Sequence, residues 1–565
     1  MSLIDSRRDQ LFPVLDAAQI DIVKRFASGS PRTFAPGETV FDVGERNAPI
    51  WLVLKGTIEL LRRDGLGREA NITTYKCGQF SGEVSQLAGH ASLALGRAGQ
   101  EGCTALPFDS THVRTLIIGS AEIGEIIMRA FILRRVGLIE EGGVGSVLIG
   151  QRGKAELVRL EGFLGRNGYP YTVLDASNDD GRAIVERFGV NADELPFMIC
   201  PDGTLLKRPS DAEAAACLGI TPELDPEVVY DVAIVGAGPA GLATAVYAGS
   251  EGLSVLVLDQ RAFGGQAGAS SRIENYLGFP AGISGMALAA RAFNQALKFG
   301  VKIAIPLEVT RLDCGDQRDG GNLLRLELSN GDVVRARTVV IATGVRYRRP
   351  DIPNLTDFEG SGVSYWATAV EAKLCEGRDV ALVGGGNSAG QAVVYLAPRV
   401  RRLHLVVRDN SLEKSMSRYL VDRIAALPNV ELHTRTEVVG LEGDQLQGLM
   451  AGIFRNRDSG VSRRHPVRHV FLFIGADPNV GWLDHCIDTD EKGFVITGAE
   501  NSITPRRVPS LETSHPGVFA IGDIRAGSTK RVAAAVGEGA AVVAQIHTLL
   551  DAELDQHRAE IVSYS

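Results

Sequence analysis

Tyr230–Gly241, YDVAIVGAGPAG, is the stretch whose reading decides the fold. Val229–Val235 is a short apolar β run that stops at Gly236, and an Ala-rich helical stretch follows Gly241. Gly236, Gly238 and Gly241 have the spacing of a dinucleotide-binding turn. The first glycine allows the tight turn, the second lets a pyrophosphate approach the backbone, and the third lets the helix pack close to the strand. The helix N-terminus then offers free N–H groups and a partial positive charge to the phosphates. A second apolar strand, Val255–Leu258, ends on Asp259, where a carboxylate is placed to accept a hydrogen bond from a ribose 2′-hydroxyl. Glycines punctuate many turns, so the motif alone is weak; strand, glycines, helix, strand and acid in order are not.

Working outward, the same unit recurs. Asp379–Ala389 reads DVALVGGGNSA, with Gly384, Gly386 and Ala389 at the positions of Gly236, Gly238 and Gly241, and Tyr395 at that of Tyr247. Asn387 and Ser388 open the helix of this second copy. Its next strand, Leu403–Val407, ends on Arg408 instead of an acid. A carboxylate suits a ribose hydroxyl and repels a 2′-phosphate; a guanidinium does the reverse. The first copy is therefore expected to hold FAD and the second a nicotinamide cofactor, leaning to NADPH with NADH possible. Two such Rossmann units on one chain imply hydride traffic between two cofactors.

The whole chain limits the alternatives. Its 565 residues suffice for several domains, and a net charge of −9 with mixed signs argues against a nucleic-acid partner. The opening MSLIDSRRDQL lacks a signal-peptide core, and no uninterrupted apolar run approaches spanning length. A cytoplasmic protein without a membrane partner is expected. Seven cysteines are scattered without a Cys-x-x-Cys pair, so no metal site or local dithiol is expected, and the thiols read as mostly reduced.

Residues 1–141 form the first expected domain. Leu11, Val14, Leu15, Ile20, Val23 and Phe26 recur at helical intervals, and short β runs follow from Thr33 to about Ile118. PGETVFDVGE (Pro36–Glu45) and IWLVLKGTIEL (Ile50–Leu60) resemble the β-roll of cyclic-nucleotide-binding domains. Phe80–Ala98 resembles that family's phosphate cassette and keeps Gly82 and Glu83, but Ser92 stands where the phosphate-pairing arginine belongs and Arg97 is out of register. Without its guanidinium an anionic cyclic phosphate loses its strongest contact. A degenerate structural or partner-binding domain is expected, closed by a helix over Ala121–Glu141.

Gly142, Gly143 and Gly145 mark a joint into residues 142–220. Strands at Ser146–Gly150, Tyr171–Asp175 and Leu195–Cys200 alternate with helices at Lys154–Arg166 and Gly181–Phe188. This order resembles the thioredoxin fold, which implies a cis-proline at Pro196. Gln151–Lys154 stand where that family carries its dithiol, so disulfide exchange is not expected here. Cys200 reads as a lone core thiol in an apolar strand. Leu218–Val228, with Pro222 and Pro226, reads as a linker.

From Val229 to about Leu549, GGQAGASSRIENYLGFP (Gly264–Pro280), IATG (Ile341–Gly344), VGGGNSA, GVFAIGDI (Gly517–Ile524) and KRVAAAVGEGA (Lys530–Ala540) follow in order. Together they resemble the low-molecular-weight thioredoxin reductase family. The resemblance implies that Gly265, Gln266, Asn275 and Gly344 line the flavin and Val309 the adenine. It puts Asp523 on the ribityl chain, and Arg531 and Val532 at a helix start facing the ring, where the dipole favours an anionic reduced flavin. It also implies a homodimer. The pattern breaks at the dithiol: Trp366 and Ala369 stand at the cysteine positions and Val370 at the acid, leaving the catalytic residues open. Trp366 either stacks near a cofactor or fills volume, and Cys375 beyond it reads as a surface-loop thiol. At the nicotinamide site only Arg408 keeps the family's basic register, with Asp409 and Glu413 opposing a 2′-phosphate and Lys414 and Arg418 nearby.

The expected architecture is multidomain α/β: the β-roll, the thioredoxin-like fold, and a flavin domain (221–347 and 472–565) into which a nicotinamide domain (348–471) is inserted. The expected function is an FAD-dependent oxidoreductase passing hydride from NAD(P)H to flavin and on to an external acceptor: a small protein carrier, a quinone or oxygen. The rival is a non-enzymatic flavin-binding sensor or scaffold whose N-terminal domains bind partners.

Overall fold

The computed structural model describes residues 7–63, 69–141, 145–270, 272–314, 323–360, 362–444, 448–483, 486–498 and 509–564. The expected glycine joint falls partly outside them, at 142 and 143. The N-terminal helical expectation divides into Arg8–Leu11 and Ala17–Lys24, interrupted after Phe12–Pro13 and restarted where Asp16 and Gln19 cap each other's backbone N–H.

The first domain is an antiparallel sheet ordered Arg32–Phe34, Leu95–Phe108, Ile50–Arg63, Glu69–Tyr75, with Thr39–Phe41 also on Leu95–Phe108. The β runs are longer than expected and end earlier. Two strands run 14 residues each, and Ser110–Gly119 is helical, capped by the Asp109 side chain. Gly56 and Gly102, at φ +72° and +71°, shift the register of these strands without ending them. A Cβ on Gly56 would sit 2.1 Å from the Gly102 carbonyl oxygen. The helix Ala121–Glu141 closes the roll.

The second domain orders its strands Tyr171–Asp175, Ser146–Gly150, Phe197–Ile199, Leu205–Lys207, the first pair parallel and the others antiparallel. Helices Ala155–Arg166, Asp179–Phe188 and Asp211–Leu218 cover it, and the Leu195–Pro196 peptide is cis.

In the sheet that carries the first glycine turn, Lys302–Ala304, Val255–Leu258, Val229–Val235 and Val333–Ile341 run parallel, with Val518–Ala520 also on Val333–Ile341. Leu324–Leu328 and Val309–Asp313 extend the sheet antiparallel. The second sheet is parallel throughout: Val363–Ser364, His469–Leu472, Asp379–Val383, Arg402–Val406, Val430–His433. Helices Asn387–Leu396 and Arg418–Ala425 pack on one of its faces. The meander Thr436–Asp444, Gly448–Asn456, Ser462–His465 packs on the other.

The C-terminal helix, Val532–Tyr564, contacts the helix Pro239–Ser250 and buries Ala535, Val542, Val543, Ile546 and Leu550. By length and composition alone its Val532–Ala552 part reaches membrane-spanning character. One apolar cluster runs from the β-roll's closing helices into this helix layer, so the first domain is seated on the helices that cover the first glycine turn's sheet.

Candidate functional site

The first glycine turn is built by exclusion of side chains. Gly236 sits at φ +111°, and a Cβ there would lie 2.3 Å from the Ala342 carbonyl oxygen. A Cβ on Gly241 would lie 1.9 Å from the Gly236 oxygen, so the helix Pro239–Ser250 packs directly under the turn. Gly265, at φ +53°, brings a second loop to within 3.1 Å (added Cβ to Cα) of Gly238. Asp259 stands half-buried beside them. One carboxylate oxygen accepts from Ala237 N (2.9 Å), the other from Arg261 N (2.9 Å) and Ala262 N (3.1 Å). Burial pushes its pKa up, while these N–H groups and Arg166 pull it down.

These loops wall a cavity of about 840 Å³. Of the residues expected at the flavin, Gly236, Gly238, Asp259, Gly265, Gln266, Asn275, Val309, Gly344, Asp523, Arg531 and Val532 line it, and Gly241 lies behind the turn. The Gln266 amide donates to the Val345 carbonyl. Burial raises the Asp523 pKa, partly offset by Lys530. From the nicotinamide set, Asn387 and Ser388 reach this cavity; Gly384, Gly386, Ala389 and Arg408 are not among its lining.

The second turn repeats the geometry. Gly384 is at φ +144° with a Cβ position 2.4 Å from the Phe473 oxygen, and Asn387 Oδ1 accepts from Ser417 N at 2.7 Å. Arg408 is exposed beyond the strand Arg402–Val406, and Arg418 pairs with Asp422 at 2.9 Å.

Trp366 lines the cavity, fixed by a 2.9 Å hydrogen bond from Nε1 to Glu371 Oε1, with the Arg261 guanidinium 4.9 Å from the ring centre. Ala369 begins the helix Ala369–Leu374.

Sequence reasoning missed Arg166. It ends a helix of the second domain, donates from Nη2 to the Gly265 carbonyl at 3.0 Å, and lines the cavity. Its Nε is buried without a hydrogen-bond partner among the described residues. The Arg166 guanidinium brings a positive charge to the cavity wall, which suits an anionic ligand, and the glycine cradle leaves the backbone open to a pyrophosphate. The residues present therefore fit a dinucleotide such as FAD. No local motif announces Arg166, because it comes from another domain.

The cysteine expectations need correction. Cys200 is buried as expected but bonded to Cys217, and Cys314 is bonded to Cys486; Cys77, Cys103 and Cys375 are free. The partners come from separate elements, so spacing could not show them. Nor is Cys375 a surface-loop thiol: it caps the Ala369–Leu374 helix inside an apolar cluster, where burial pushes its pKa up to about 12.

In the first domain Ser92 Oγ donates to the Ala94 carbonyl at 2.8 Å, and Arg97 turns to Glu69 at 3.3 Å. The closing helix puts Arg134 against Glu83's loop, donating to the Gly82 carbonyl (2.7 Å) among the rings of Phe12, Tyr75, Phe80 and Phe131. The remaining cavity is about 40 Å³.

Residues 230–539 match the family model of pyridine nucleotide-disulphide oxidoreductases, and residues 31–119 that of the cyclic nucleotide-binding domain. The chain is 31% identical over 312 residues to an NADH dehydrogenase of Bacillus subtilis (strain 168), covering 55% of this chain and 57% of that protein. It is 32% identical over 314 residues to a thioredoxin reductase of Treponema pallidum (strain Nichols), covering 56% and 95%. A crystal structure of Lactococcus lactis thioredoxin reductase superposes with TM-score 0.51 at 26% identity, covering 57% of this chain and 98% of that one.

Proposed function

We propose a function from one premise: this chain belongs to the pyridine nucleotide-disulphide oxidoreductase family. It is an FAD-dependent oxidoreductase that takes hydride from NAD(P)H and passes the electrons to an external acceptor. The match spans little more than half of the first relative's length, 57%, so the activity is argued from this chain's own site. One observation carries it: the flavin-side loops and the nicotinamide-side Asn387 and Ser388 wall the same cavity.

When bound, FAD supplies a two-electron centre that accepts hydride. Gly236, Gly238 and Gly265 open backbone to the pyrophosphate, and Asp259 holds the turn while facing the ribose. Gln266, Asn275, Val309 and Gly344 line the remainder, and Asp523 offers a carboxylate to the ribityl hydroxyls. Arg531 and Val532 present the start of the C-terminal helix to the ring, where unpaired N–H groups favour negative charge. Gly384, Gly386, Asn387, Ser388 and Ala389 hold the nicotinamide cofactor, and Arg408 leans the choice to NADPH. Trp366, fixed by Glu371, occupies the place of a thiol and shields the cavity from water. With Trp366 and Ala369 at the dithiol positions, the electrons leave to an acceptor outside the chain. In the first domain, Arg134 and its rings fill the space a cyclic nucleotide would need.

An acceptor panel on the purified flavoprotein tests this reading, with NADPH and NADH as donors and a small protein carrier, a quinone and oxygen as acceptors. Rapid turnover with at least one acceptor is expected. Tight flavin with negligible turnover against all of them would replace the enzyme with a flavin-bound sensor.

A further inference from the structure

The meander face of the second sheet carries a cluster that the cavity does not use. Along Arg402–Val406, Leu403 and Leu405 face the helices, while Val406 joins the opposite cluster under the meander. Side chains alternate along a strand, so His404 shares the face of Val406. The neighbouring strand is parallel, with His404 opposite Glu431 and Val406 opposite His433. That register places His404, Glu431 and His433 on one face. His465 ends the last meander strand and lays its ring on Phe454, 4.2 Å between centres and 16° from parallel.

The donor atoms converge. His404 Nδ1 is 3.0 Å from His433 Nε2, and one ligand nitrogen from each of the three histidines lies within 4.8 Å of the others. Glu431 stands beside two of the three, one oxygen 3.5 Å from His404 Nδ1 and the other 3.6 Å from His433 Nε2. Tetrahedral donors on bonds of about 2.0–2.1 Å stand roughly 3.4 Å apart. The two closest nitrogens therefore open by a few tenths of an ångström, and the His465 nitrogen, within 4.8 Å of both, moves in to complete the set.

We propose that His404, His433, His465 and Glu431 bind a divalent first-row transition-metal ion. Three imidazoles and one carboxylate suit zinc and its neighbours, whereas magnesium and calcium prefer sets made of oxygen. Access is one-sided: His404 is 3% exposed, and the Glu431 side chain is 49% exposed at the rim. Binding needs both ring nitrogens of the His404–His433 hydrogen bond as lone pairs. The ring that carries the shared proton moves it to its other nitrogen, and no proton need leave the protein. None of the four residues lines the large cavity, so the ion acts as a staple between the edge of the sheet and the meander.

The experiment uses full-length, untagged flavoprotein stripped with a chelator, then titrated with Zn²⁺ or Co²⁺. Wild type should take up one equivalent of Zn²⁺, raise its melting temperature as Zn²⁺ is added, and give the visible bands of four-coordinate Co²⁺. His465→Gln should weaken binding by about tenfold or more and remove those bands, and Glu431→Gln should weaken it less. Unchanged flavin content and circular dichroism in both variants show that the fold persists. Wild type that binds no Zn²⁺, or a His465→Gln variant with wild-type affinity, overturns the proposal and leaves the cluster as aromatic packing.

Discussion

At Gly236 the chain passes beneath the carbonyl of Ala342, and at Gly384 it passes beneath that of Phe473; an added Cβ would meet these oxygens at 2.3 and 2.4 Å. The two turns are the same backbone device. They part at the third position, where Gly241 lets its helix come within 1.9 Å of the Gly236 oxygen (measured from an added Cβ), while Ala389 already carries that carbon. They part again at the end of the next strand, where Asp259 is tied by three backbone N–H groups behind the turn and Arg408 stands exposed. In the proposed function the shared turn receives phosphates, and what closes behind it separates the resident cofactor from the visiting one.

The largest expected effect comes from breaking each turn in the same way. Gly236→Ala adds a side chain at positive φ against a backbone carbonyl, a strain of about 3 kcal/mol or more. FAD affinity should fall at least about a hundredfold, read as flavin absorbance at purification. Gly384→Ala should keep its flavin and slow reduction by NADPH in stopped flow; equal loss of flavin in both variants would break the comparison.

Asp259→Ala leaves three backbone donors unmatched and should weaken FAD by roughly ten- to a hundredfold, at about 1–3 kcal/mol for such a loss. Equilibrium dialysis of the flavin reads it. Arg408→Glu touches only the visiting cofactor. The NADPH-to-NADH ratio of kcat/KM should drop by no more than about tenfold, because the charge is solvated. An unchanged ratio removes Arg408 from the 2′-phosphate site.

The smallest effect concerns the matching aspartates of the two strands, Asp231 and Asp379. Asp231 bonds Ser254 and takes a 3.2 Å hydrogen bond from Arg337, whereas Asp379 takes two 2.7 Å hydrogen bonds from Arg401, which hold its carboxyl below the ordinary 3.8. A depressed folded pKa gives stability that is complete above the unfolded value and is lost as pH falls through the folded one. Asp379→Asn should therefore flatten the acid side of the urea-midpoint profile below about pH 4. The change should be slight, since the Arg401 side chain is 72% exposed. A wild-type slope in the variant would show that the pair contributes nothing.

Both turns, their strands and the long closing helix were legible because they are local: glycine spacing, apolar runs and helical intervals lie within short windows. The β-roll's long strands were less so, since Gly56 and Gly102 look like breaks in sequence and act as bends in space. Nothing local could pair Cys314 with Cys486, 172 residues apart. Nor could it bring His404, His433 and His465 together from three strands of two sheets. Cys375 misled because the six-residue helix it caps is too short to show a periodicity.

The hydrogen bond from Arg166 to the Gly265 carbonyl ties the second domain to a loop of the flavin cavity. Whatever orders that loop also holds the domain, and the relation is reciprocal: docking tightens the flavin by the same factor that flavin tightens docking. Protein stripped of FAD should therefore hold the domain more loosely, read as faster proteolysis within residues 145–220 than in the flavin-loaded protein.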